Sequence, residues 1–425
     1  MPKGVQRGER PARSRRRTID TVSATLETAN HAVLPLVKRS PAPRTHKRHP
    51  GAIHAAITQV DDTIRTMTPP PAHGRPRPPA LRDVAELAGV SIKTVSNVVN
   101  DYPHVSASTR AKVEAAIEAT GYRPQLAAQQ LRTGSSGILT LAVPSLRFDY
   151  FADLAQRFVD VAQTQGRTVL LHSTSAGRDE EIEVLRGFRR RIGDGVIFNP
   201  LLVGEEYLAA MERVDQPTVF IGEHLSQSSL PPGSDYVRID NTAATAEATA
   251  HLLSLGRRPL AFLGSTDRSI APDQTHSSSA MRLAGFRQAL DLAGLPSAGA
   301  PARMLRRWHR QDGHDAVRTL LSTHSDLDGI VCGNDDLAQG ALSALHEAGI
   351  RVPEEVAVIG FDDFPDAAYS RPGLSSVSPD KDLLVHSALE MLMQRIEGYD
   401  GPPRTVTVPH RLALGASSVA QGEEQ

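Results

Sequence analysis

LRDVAELAGVSIKTVSNVVN, residues 81–100 of a 425-residue chain, has the pattern of two short helices joined by a tight turn. Val84, Leu87 and Ala88 recur at helical spacing, which predicts the buried face of the first helix, and Gly89 interrupts the periodicity. Ser91 can cap a second helix. The predicted buried face of that second helix consists of Val95, Val98 and Val99. Two such helices form the helix-turn-helix that places its second helix in the major groove of DNA, and an ordinary helical hairpin inside a larger core is the alternative.

The segment that follows predicts a third helix and then a weaker, shorter one. Val113, Ala116 and Ile117 form the inward face of the third helix, which ends near Gly121. After Pro124 comes QLAAQQLR, residues 125–132, a helix-prone run that is too short to be stable alone. Residues 133–137, TGSSG, have the composition of a flexible connector.

These segments together resemble the lactose-repressor/galactose-repressor (LacI/GalR) family. The matching stretches are DVAELAGVS, TVSNVVN, VSASTRAKVEAAIEATGYRP and AAQQLRTGSS. The resemblance implies a helix-turn-helix DNA-binding domain at residues 80–123, followed by a hinge helix and linker at 124–137. In that family the hinge helix folds when a homodimer binds its palindromic operator, and each hinge inserts a leucine into the minor groove. The matching position is Leu131, for which an ordinary buried linker leucine is the alternative.

The resemblance also implies which residues touch double-stranded DNA. Ile92 and Lys93 are expected to contact base edges with assistance from Asn97, and Ser96 lies on the same outer face. Contacts to phosphate position a protein on DNA without reading its sequence. Such contacts are expected from Ser91, Thr94, Asn100 and His104.

The formal net charge of -1 combines regions of opposite sign. Residues 1–79 hold 15 Lys and Arg against 5 Asp and Glu, whereas residues 80–425 hold 32 against 43. Within residues 80–137 the counts are 6 and 5, so the DNA-reading unit is nearly neutral. Its affinity for DNA must therefore come from placed contacts, from dimerisation and from the leader rather than from bulk charge.

The leader, residues 1–79, is rich in Arg, Pro, Ser, Thr and His, a composition typical of disorder. One interpretation is a basic arm that strengthens non-specific DNA binding. A mitochondrial-type presequence fits the composition but conflicts with the bacterial character of the rest. The interpretation we favour is that translation starts at Met67, directly before the helix-turn-helix, so that residues 1–66 are not part of the native protein.

From residue 138 onward, short apolar runs alternate with amphipathic stretches, which predicts parallel sheets covered by helices on both faces. The predicted strands are 138–143, 168–171, 195–198, 218–221, 236–239, 260–263, 329–331, 356–359 and 405–408. This length favours two α/β lobes over one. The resemblance identifies residues 138–415 as a periplasmic-binding-protein-like core for effector binding and dimerisation, with 416–425 as a flexible tail. We also expect the helix around residues 382–396 to take part in dimerisation, with burial inside its own lobe as the alternative.

Candidate effector-binding residues stand at predicted strand ends, where open α/β sheets bind their ligands. Asn334 and Asp362 follow two such strands, and Asn199 follows another as a weaker candidate. Arg282 matches the effector-binding arginine of the family. A carboxylate that accepts from neighbouring hydroxyls, beside a guanidinium that donates in a fixed fork, suits a sugar. Loop caps and structural ion pairs are the alternatives for all four residues.

Aromatic residues are expected to form the apolar walls of the same cleft. Trp308, the only tryptophan, falls where several relatives place an aromatic ring against the effector, with core packing as the alternative. Phe151, together with Phe148 and Tyr150, is expected to line the opposite wall. The chain departs from some relatives in having Gly222 and then Glu223 where they have an acidic residue, and in a long polar loop at 265–279. Both departures put the transfer of any relative's ligand in doubt.

We therefore predict a bacterial, cytoplasmic, homodimeric transcription regulator, most simply a repressor, controlled by a small molecule that is most simply a carbohydrate. A regulator that responds to a purine or other non-sugar ligand, and a DNA binder without an effector, are the alternatives. No catalytic motif argues for an enzyme, and no cofactor is predicted. Cys332 is the only cysteine and is expected to be buried, which excludes a disulfide framework or a cysteine-based metal site. No apolar run approaches the length of a membrane span, and the first residues lack the apolar core of a secretory signal.

Overall fold

The computed structural model describes residues 77–123, 134–175, 177–187, 193–201, 209–210, 214, 216–223, 225, 230–265, 277–305 and 307–419. Residues 1–76, which hold most of the predicted leader, lie outside the described residues. Residues 124–133 also lie outside the described residues, so the hinge helix and the insertion of Leu131 into the minor groove stay predictions.

The first three helices, α1 (Leu81–Ala88), α2 (Ile92–Val99) and α3 (Ala107–Thr120), form the predicted helix-turn-helix domain. Gly89 ends α1 in the left-handed conformation with φ +65°, and the Ser91 hydroxyl caps α2 by accepting from Thr94 N at 3.0 Å. The three helices share a small core made of Val84, Ala85, Val95, Val98, Val113 and Ala116.

Leu87 does not belong to that core, so its prediction as a buried residue is wrong. The buried face of α1 carries Val84 and Ala85, and Leu87 is 58% exposed. At 100° per residue, Leu87 lies about 110° around the helix from the centre of the face formed by residues 81, 84, 85 and 88.

The remaining helices and strands alternate along the chain. The strands are β1 (Ile138–Val143), β2 (Thr168–Ser173), β3 (Gly195–Phe198), β4 (Thr218–Ile221), β5 (Ser234–Ile239), β6 (Leu260–Ser265), β7 (Ala302–Met304), β8 (Gly329–Cys332), β9 (Ala357–Phe361), β10 (Ser375–Pro379), β11 (Thr405–Val408) and β12 (His410–Ala413). The helices are α4 (Asp149–Thr164), α5 (Arg178–Leu185), α6 (Asn241–Ser254), α7 (Ser278–Leu292), α8 (Arg310–Thr323), α9 (Asp335–Glu347) and α10 (Lys381–Ile396), with a 3₁₀ turn at Pro365–Tyr369.

Two six-stranded sheets confirm the predicted two-lobe α/β core. The first lobe has the strand order β11-β5-β4-β3-β1-β2, with every neighbouring pair parallel. The second lobe has the order β12-β10-β9-β8-β6-β7, and only β12 runs antiparallel to its neighbour. Strands β7, β10 and β12 were not predicted because none of them is a continuous apolar run; β10, for example, is SSVSP and buries its serines.

The chain passes between the lobes three times, through short connections. It crosses after β5 into α6, after β10 into α10, and between β11 and β12. Asp240 and Asp380 cap the helices that follow the first two crossings, accepting from Ala243 N at 3.0 Å and from Leu383 N at 2.8 Å. Asp380 N also donates to Pro409 O at 2.9 Å, which ties the second crossing to the third. These three crossings, two of them tied to each other, form a hinge between the lobes.

The apolar positions of α10 serve mainly the first lobe. Leu384, Leu389 and Leu392 are at most 1% exposed and pack against its sheet, whereas Leu383 is 41% exposed. Burial inside the lobe, which was the alternative, therefore holds for these three leucines, and the part of α10 in dimerisation stays a prediction.

Two segments predicted to be flexible are held by hydrogen bonds. Ser417 and Ser418, in the predicted tail, are buried, and the Ser417 hydroxyl donates to Val358 O at 2.6 Å. In the predicted flexible connector, Ser136 N and Gly137 N donate to the Asp194 carboxylate at 2.6 and 2.9 Å. Both predictions are wrong for these residues, since composition does not reveal a distant acceptor or donor. Cys332 is buried at the end of β8, as predicted.

Candidate functional site

The outer face of α2 presents a candidate DNA-reading surface. Ile92 is 49% exposed although it is a large apolar side chain, and Lys93 beside it is exposed as well. Ser96 and Asn97 follow one turn later and are partly exposed. Ile92 and Lys93 thus lie in the first turn of this helix and Ser96 and Asn97 in its second, while the opposite face, which carries Val95 and Val98, is buried.

The residues predicted to contact phosphate also support the local structure. The Ser91 and Thr94 hydroxyls lie 2.8 Å apart at the start of α2. The Asn100 amide donates to Ser96 O one turn earlier. His104 meets Tyr102 edge to face, with 5.4 Å between ring centroids. These contacts orient polar groups on the side of the domain that presents α2.

A second candidate site is a cleft of about 680 Å³ between the two lobes, at the carboxyl ends of the parallel strands. This volume lies within the range of small-molecule sites. All six predicted effector-binding residues line the cleft, namely Phe151 and Asn199 from the first lobe and Arg282, Trp308, Asn334 and Asp362 from the second.

Arg282 stands at the centre of a buried polar network. Its Nε donates to Asn241 Oδ1 at 2.5 Å, a second nitrogen donates to Gly333 O, and the third lies 3.5 Å from Asp362 Oδ1. Its guanidinium also lies over the ring of Phe361, 3.5 Å from the centroid. Arg282 therefore joins the first hinge crossing to the ends of β8 and β9. Asn241 was not among the predicted residues, although its position directly after β5 fits the same strand-end pattern.

Asp362 is strained and its ionisation is perturbed. Its φ of +103° is rarely adopted by a residue with a side chain. Burial raises the pKa of its carboxyl to about 7, even though Arg282 and Lys381 act in the opposite direction. A carboxyl that titrates near neutrality in a ligand-sized cleft is a candidate binding group.

Asn334 and Asp335 begin α9 beside Asp362. The Asn334 side chain caps the helix by accepting from Leu337 N at 3.0 Å and donates to Trp308 O at 3.2 Å. Asp335 accepts from Ser376 Oγ at 2.7 Å and from Phe364 N at 3.1 Å, and burial raises its pKa well above the usual range. Asn334 thus has both of its side-chain groups engaged, while its partner Trp308 is fixed in the wall of the cleft.

Trp308 lies against the bare backbone of two strand ends. A Cβ on Gly264 or Gly333 would come within 3.2 and 3.0 Å of the indole ring, so only glycine admits the ring so close to these strands. The indole is partly buried against the core of the second lobe and also lines the cleft, which combines the two alternatives considered from the sequence.

The opposite wall comes from the first lobe. Phe151 makes edge-to-face contacts with Phe148 and with Tyr150, with 6.3 and 5.1 Å between the ring centroids. Glu223 also lines the cleft, and Gly222 before it has φ +94° and no room for a Cβ, which would lie 2.9 Å from Asn199 Oδ1. Glu223, directly after this glycine, thus brings an acidic side chain into the cleft.

The two lobes touch at the mouth of the cleft. Phe148 of the first lobe stacks on His309 of the second, and the neighbouring residues Asp149 and Arg310 form an ion pair. Arg310 also pairs with Asp336 at 2.9 Å. We call Phe148, Asp149, His309 and Arg310 the cleft latch. His309 and Arg310 were not predicted, because nothing in their local sequence marks a contact so distant in the chain.

No helix among the described residues combines the length and apolarity needed to cross a membrane. In the same part of the chain, no three or more His, Cys, Asp and Glu side chains form a group that could hold a metal ion.

Comparisons with known proteins agree on both parts of the chain. Residues 80–125 match the model for bacterial regulatory proteins of the lacI family, and residues 249–418 match the periplasmic binding protein-like domain. The HTH-type transcriptional regulator AscG of Escherichia coli (strain K12) is 32% identical over 330 residues, which cover 76% of this chain and 94% of that regulator.

Two solved structures are similar to about four fifths of the chain. A Lac repressor dimer bound to operator and the anti-inducer ONPF is 28% identical with a TM-score of 0.69, covering 81% of this chain and all of that one. A complex of the transcriptional regulator CelR with cellobiose is 27% identical with a TM-score of 0.57, covering 80% of this chain and 99% of that one.

Proposed function

The chain belongs to the LacI family of bacterial regulatory proteins, and from that premise we propose that it is a homodimeric repressor whose operator affinity is set by a sugar bound between its lobes. DNA-binding transcription regulation follows from the family. The sugar, the dimer and the roles of individual residues are the proposed part.

The observation that carries the sugar proposal is the donor and acceptor set of the cleft. A buried carboxyl, Asp362, faces a ligand-sized space beside the Asn199 amide, and aromatic side chains form the walls. Hydroxyl groups donate to carboxylates and amide oxygens, while the apolar faces of a sugar ring pack on aromatic rings. The cellobiose complex of CelR, a structural relative, has this same class of ligand.

Trp308 fluorescence of the full chain provides the direct test. It is the only tryptophan, and its ring lines the cleft, so a saturable change on titration reports binding there. The panel should contain mono- and disaccharides together with purines. Saturation by a saccharide supports the proposal, and saturation by a purine replaces it with the purine alternative. A silent panel with an unchanged melting temperature would favour an effector-independent DNA binder.

The DNA part has its own test. A Leu131→Ala variant should lose affinity for a palindromic operator, because an apolar wedge lets the bent DNA contact more protein. The melting temperature of its core should stay that of the wild type. Unchanged operator affinity would remove Leu131 from the proposal and leave the helix-turn-helix assignment intact.

A further inference from the structure

Carboxyl groups outnumber cationic groups among the buried side chains of the cleft lining. Three carboxyl-bearing residues of its lining are almost fully buried, Glu223 at 9%, Asp335 at 1% and Asp362 at 7% exposed. Among the described lining residues, Arg282 at 5% is the comparably buried cation. The cleft therefore has more buried acid than buried base.

Arg282 is also committed to the protein itself. Its three nitrogens point to Asn241 Oδ1, Gly333 O and Asp362 Oδ1, and its flat face lies on Phe361. An arginine in a ligand cleft normally suggests an anchor for a carboxylate or phosphate. Here the guanidinium already faces protein acceptors, so an incoming anion would find a neutralised cation.

The other arginines of the lining stand at the mouth. Arg147 and Arg307 are exposed, and the Arg307 side chain, 74% exposed, lies 3.8 Å from Asp312. Exposed charges are screened by water and salt far more than buried ones. They do not offset the acidic groups deeper in the cleft.

The acidic groups come from both lobes and face the same space. Glu223 follows β4 of the first lobe by two residues and accepts a hydrogen bond from Asn241, which in turn accepts from Arg282 of the second. Burial raises the pKa of Glu223, and the negative charge of Glu223 raises that of Asp362. Burial thus already opposes ionisation of these carboxyl groups, so the cleft resists further negative charge.

We infer that the cleft selects an uncharged, hydroxyl-rich ligand over sugars that carry a carboxylate or phosphate, and that Glu223 is a residue that rejects the anionic group. This inference rests on the proposed sugar-binding function. It narrows the ligand class to neutral saccharides and excludes sugar phosphates and sugar acids of the same skeleton.

The test compares matched ligands at pH 8, above the value of about 7 to which burial raises the pKa of Asp362. Titration calorimetry would use glucose, galactose and cellobiose against glucose 6-phosphate, galacturonate and cellobiose 6′-phosphate. For the skeleton that binds, the neutral member should bind at least about tenfold more tightly, equivalent to about 1.4 kcal/mol. This ratio of the two Kd values is measured on the wild-type protein, so the test of the charge preference does not depend on whether any variant folds.

Glu223→Gln keeps the shape of the side chain and removes its charge. The ratio of the Kd of the anionic ligand to that of the neutral ligand should fall at least about fivefold in this variant. The anionic ligand should bind more tightly, because repulsion by a buried charge is lost. The matched control is Glu247→Gln, which removes an exposed carboxylate of α6 that pairs with His410 outside the cleft lining. That control should leave the ratio unchanged.

The outcomes separate the two proposals. Equal or tighter wild-type binding of the anionic member overturns the charge selection but supports a saccharide site. If the wild type prefers the neutral ligand and Glu223→Gln keeps the same ratio of Kd values, then Glu223 does not reject the anionic group. Absence of binding by every member of both sets overturns the sugar proposal and the inference that rests on it.

Discussion

The ring of Phe148 lies flat on the imidazole of His309, with 4.6 Å between the ring centroids and 6° between the ring planes. Phe148 directly precedes α4 of the first lobe, and His309 directly precedes α8 of the second. The next residue on each side, Asp149 and Arg310, forms an ion pair. Two adjacent contacts therefore join the lobes at the mouth of the cleft, opposite the hinge crossings that join them covalently.

Weakening the cleft latch should open the lobes. A stacked aromatic pair is worth about 0.5–1.5 kcal/mol and a half-exposed ion pair at most about 1 kcal/mol. A Phe148→Ala, Arg310→Gln variant should therefore shift the closed–open equilibrium toward the open form by about 1 to 2 kcal/mol. The shift should appear as a larger radius of gyration in X-ray scattering of the unliganded protein.

The control for the latch is Arg351→Gln, which removes an exposed ion pair, to Glu355 at 2.9 Å, within one lobe. It should leave the scattering unchanged. A latch variant with the scattering curve of the wild type would show that the hinge alone fixes the distance between the lobes.

Asp194 should couple the core to the DNA-binding part. Its carboxylate accepts from Ser135 Oγ at 2.5 Å as well as from the backbone of Ser136 and Gly137, directly after the predicted hinge segment. Removing a buried acceptor leaves its donors unsatisfied at a cost of about 1–3 kcal/mol. Asp194→Ala should therefore weaken operator binding in a fluorescence anisotropy assay, while the core still unfolds in one cooperative transition.

The comparison for Asp194 is Asp291→Ala, an exposed carboxylate on α7. It should bind operator as the wild type does. If Asp194→Ala does so too, anchoring of residues 135–137 has no part in DNA binding.

Ile92 and Lys93 should set the preferred half-site. Both are exposed at the start of α2, and each good contact to a base edge discriminates by about 1–3 kcal/mol. Exchanging the two residues should change the sequence that is selected from a randomised operator library. Lys112→Ala, an exposed lysine on α3, should keep the wild-type sequence. Retention of that sequence by the exchange variant would contradict direct readout by these positions.

Ligand affinity should fall as the pH falls through about 7, because Asp362 must be ionised to accept from two hydroxyls. Burial raises its pKa to about 7, Glu223 and Asp336 also raise it, and Arg282 and Lys381 lower it. At pH 6 the Asp362 carboxyl of the folded protein is thus mostly protonated, and it must release its proton when the ligand binds. With a pKa near 7, the ionised fraction changes about tenfold between pH 8 and pH 6, and the apparent Kd should rise by the same factor.

Asp362→Asn checks the origin of that pH dependence. The variant should bind the same saccharide more weakly at pH 8 and with little change between pH 8 and pH 6. A wild-type Kd that is flat or falls toward pH 6 would show that the neutral carboxyl binds the ligand.

The Asp235 carboxylate should be a main determinant of first-lobe stability. It is fully buried and bonds Arg395 and Arg404 at 2.9 and 2.7 Å. Burial raises its pKa, but hydrogen bonds from Arg404 and Arg395 outweigh that effect and lower it below 3.8. Asp235→Asn leaves Arg395 without a full counter-charge and should reduce the free energy of unfolding by about 3 kcal/mol in urea at pH 7.

The sign of the acid effect follows from the lowered pKa. The contribution of Asp235 is fully present above pH 3.8, its ordinary value, and is lost as the pH falls through the lower folded value. The difference between wild type and Asp235→Asn should therefore shrink below pH 3.8. A difference that stays constant in acid would point to a packing defect in the variant rather than a lost charge.

Local patterns in the chain were enough to predict the helix-turn-helix, the alternation of strands and helices, and the strand-end positions of Asn199, Asn334 and Asp362. Each of these depends on spacing within about one element, because helix and strand periods and glycine breaks are local properties. Leu87 shows the limit of that approach, since several apolar residues on one short helix compete for one buried face.

Tertiary structure alone decided which groups meet. Arg282 faces Asn241, Gly333 and Asp362, and Phe148 meets His309, across separations that no local period encodes. The serines of β10, and Ser417 in the predicted tail, are buried because acceptors and donors far away in the chain satisfy them. Sequence spacing thus determined the helices and strands and their exposed faces. The pairing of buried polar groups depended instead on the tertiary structure, because a polar group is buried only where a hydrogen-bond partner is in reach. The sheets and the crossings bring distant strand ends together and so supply those partners.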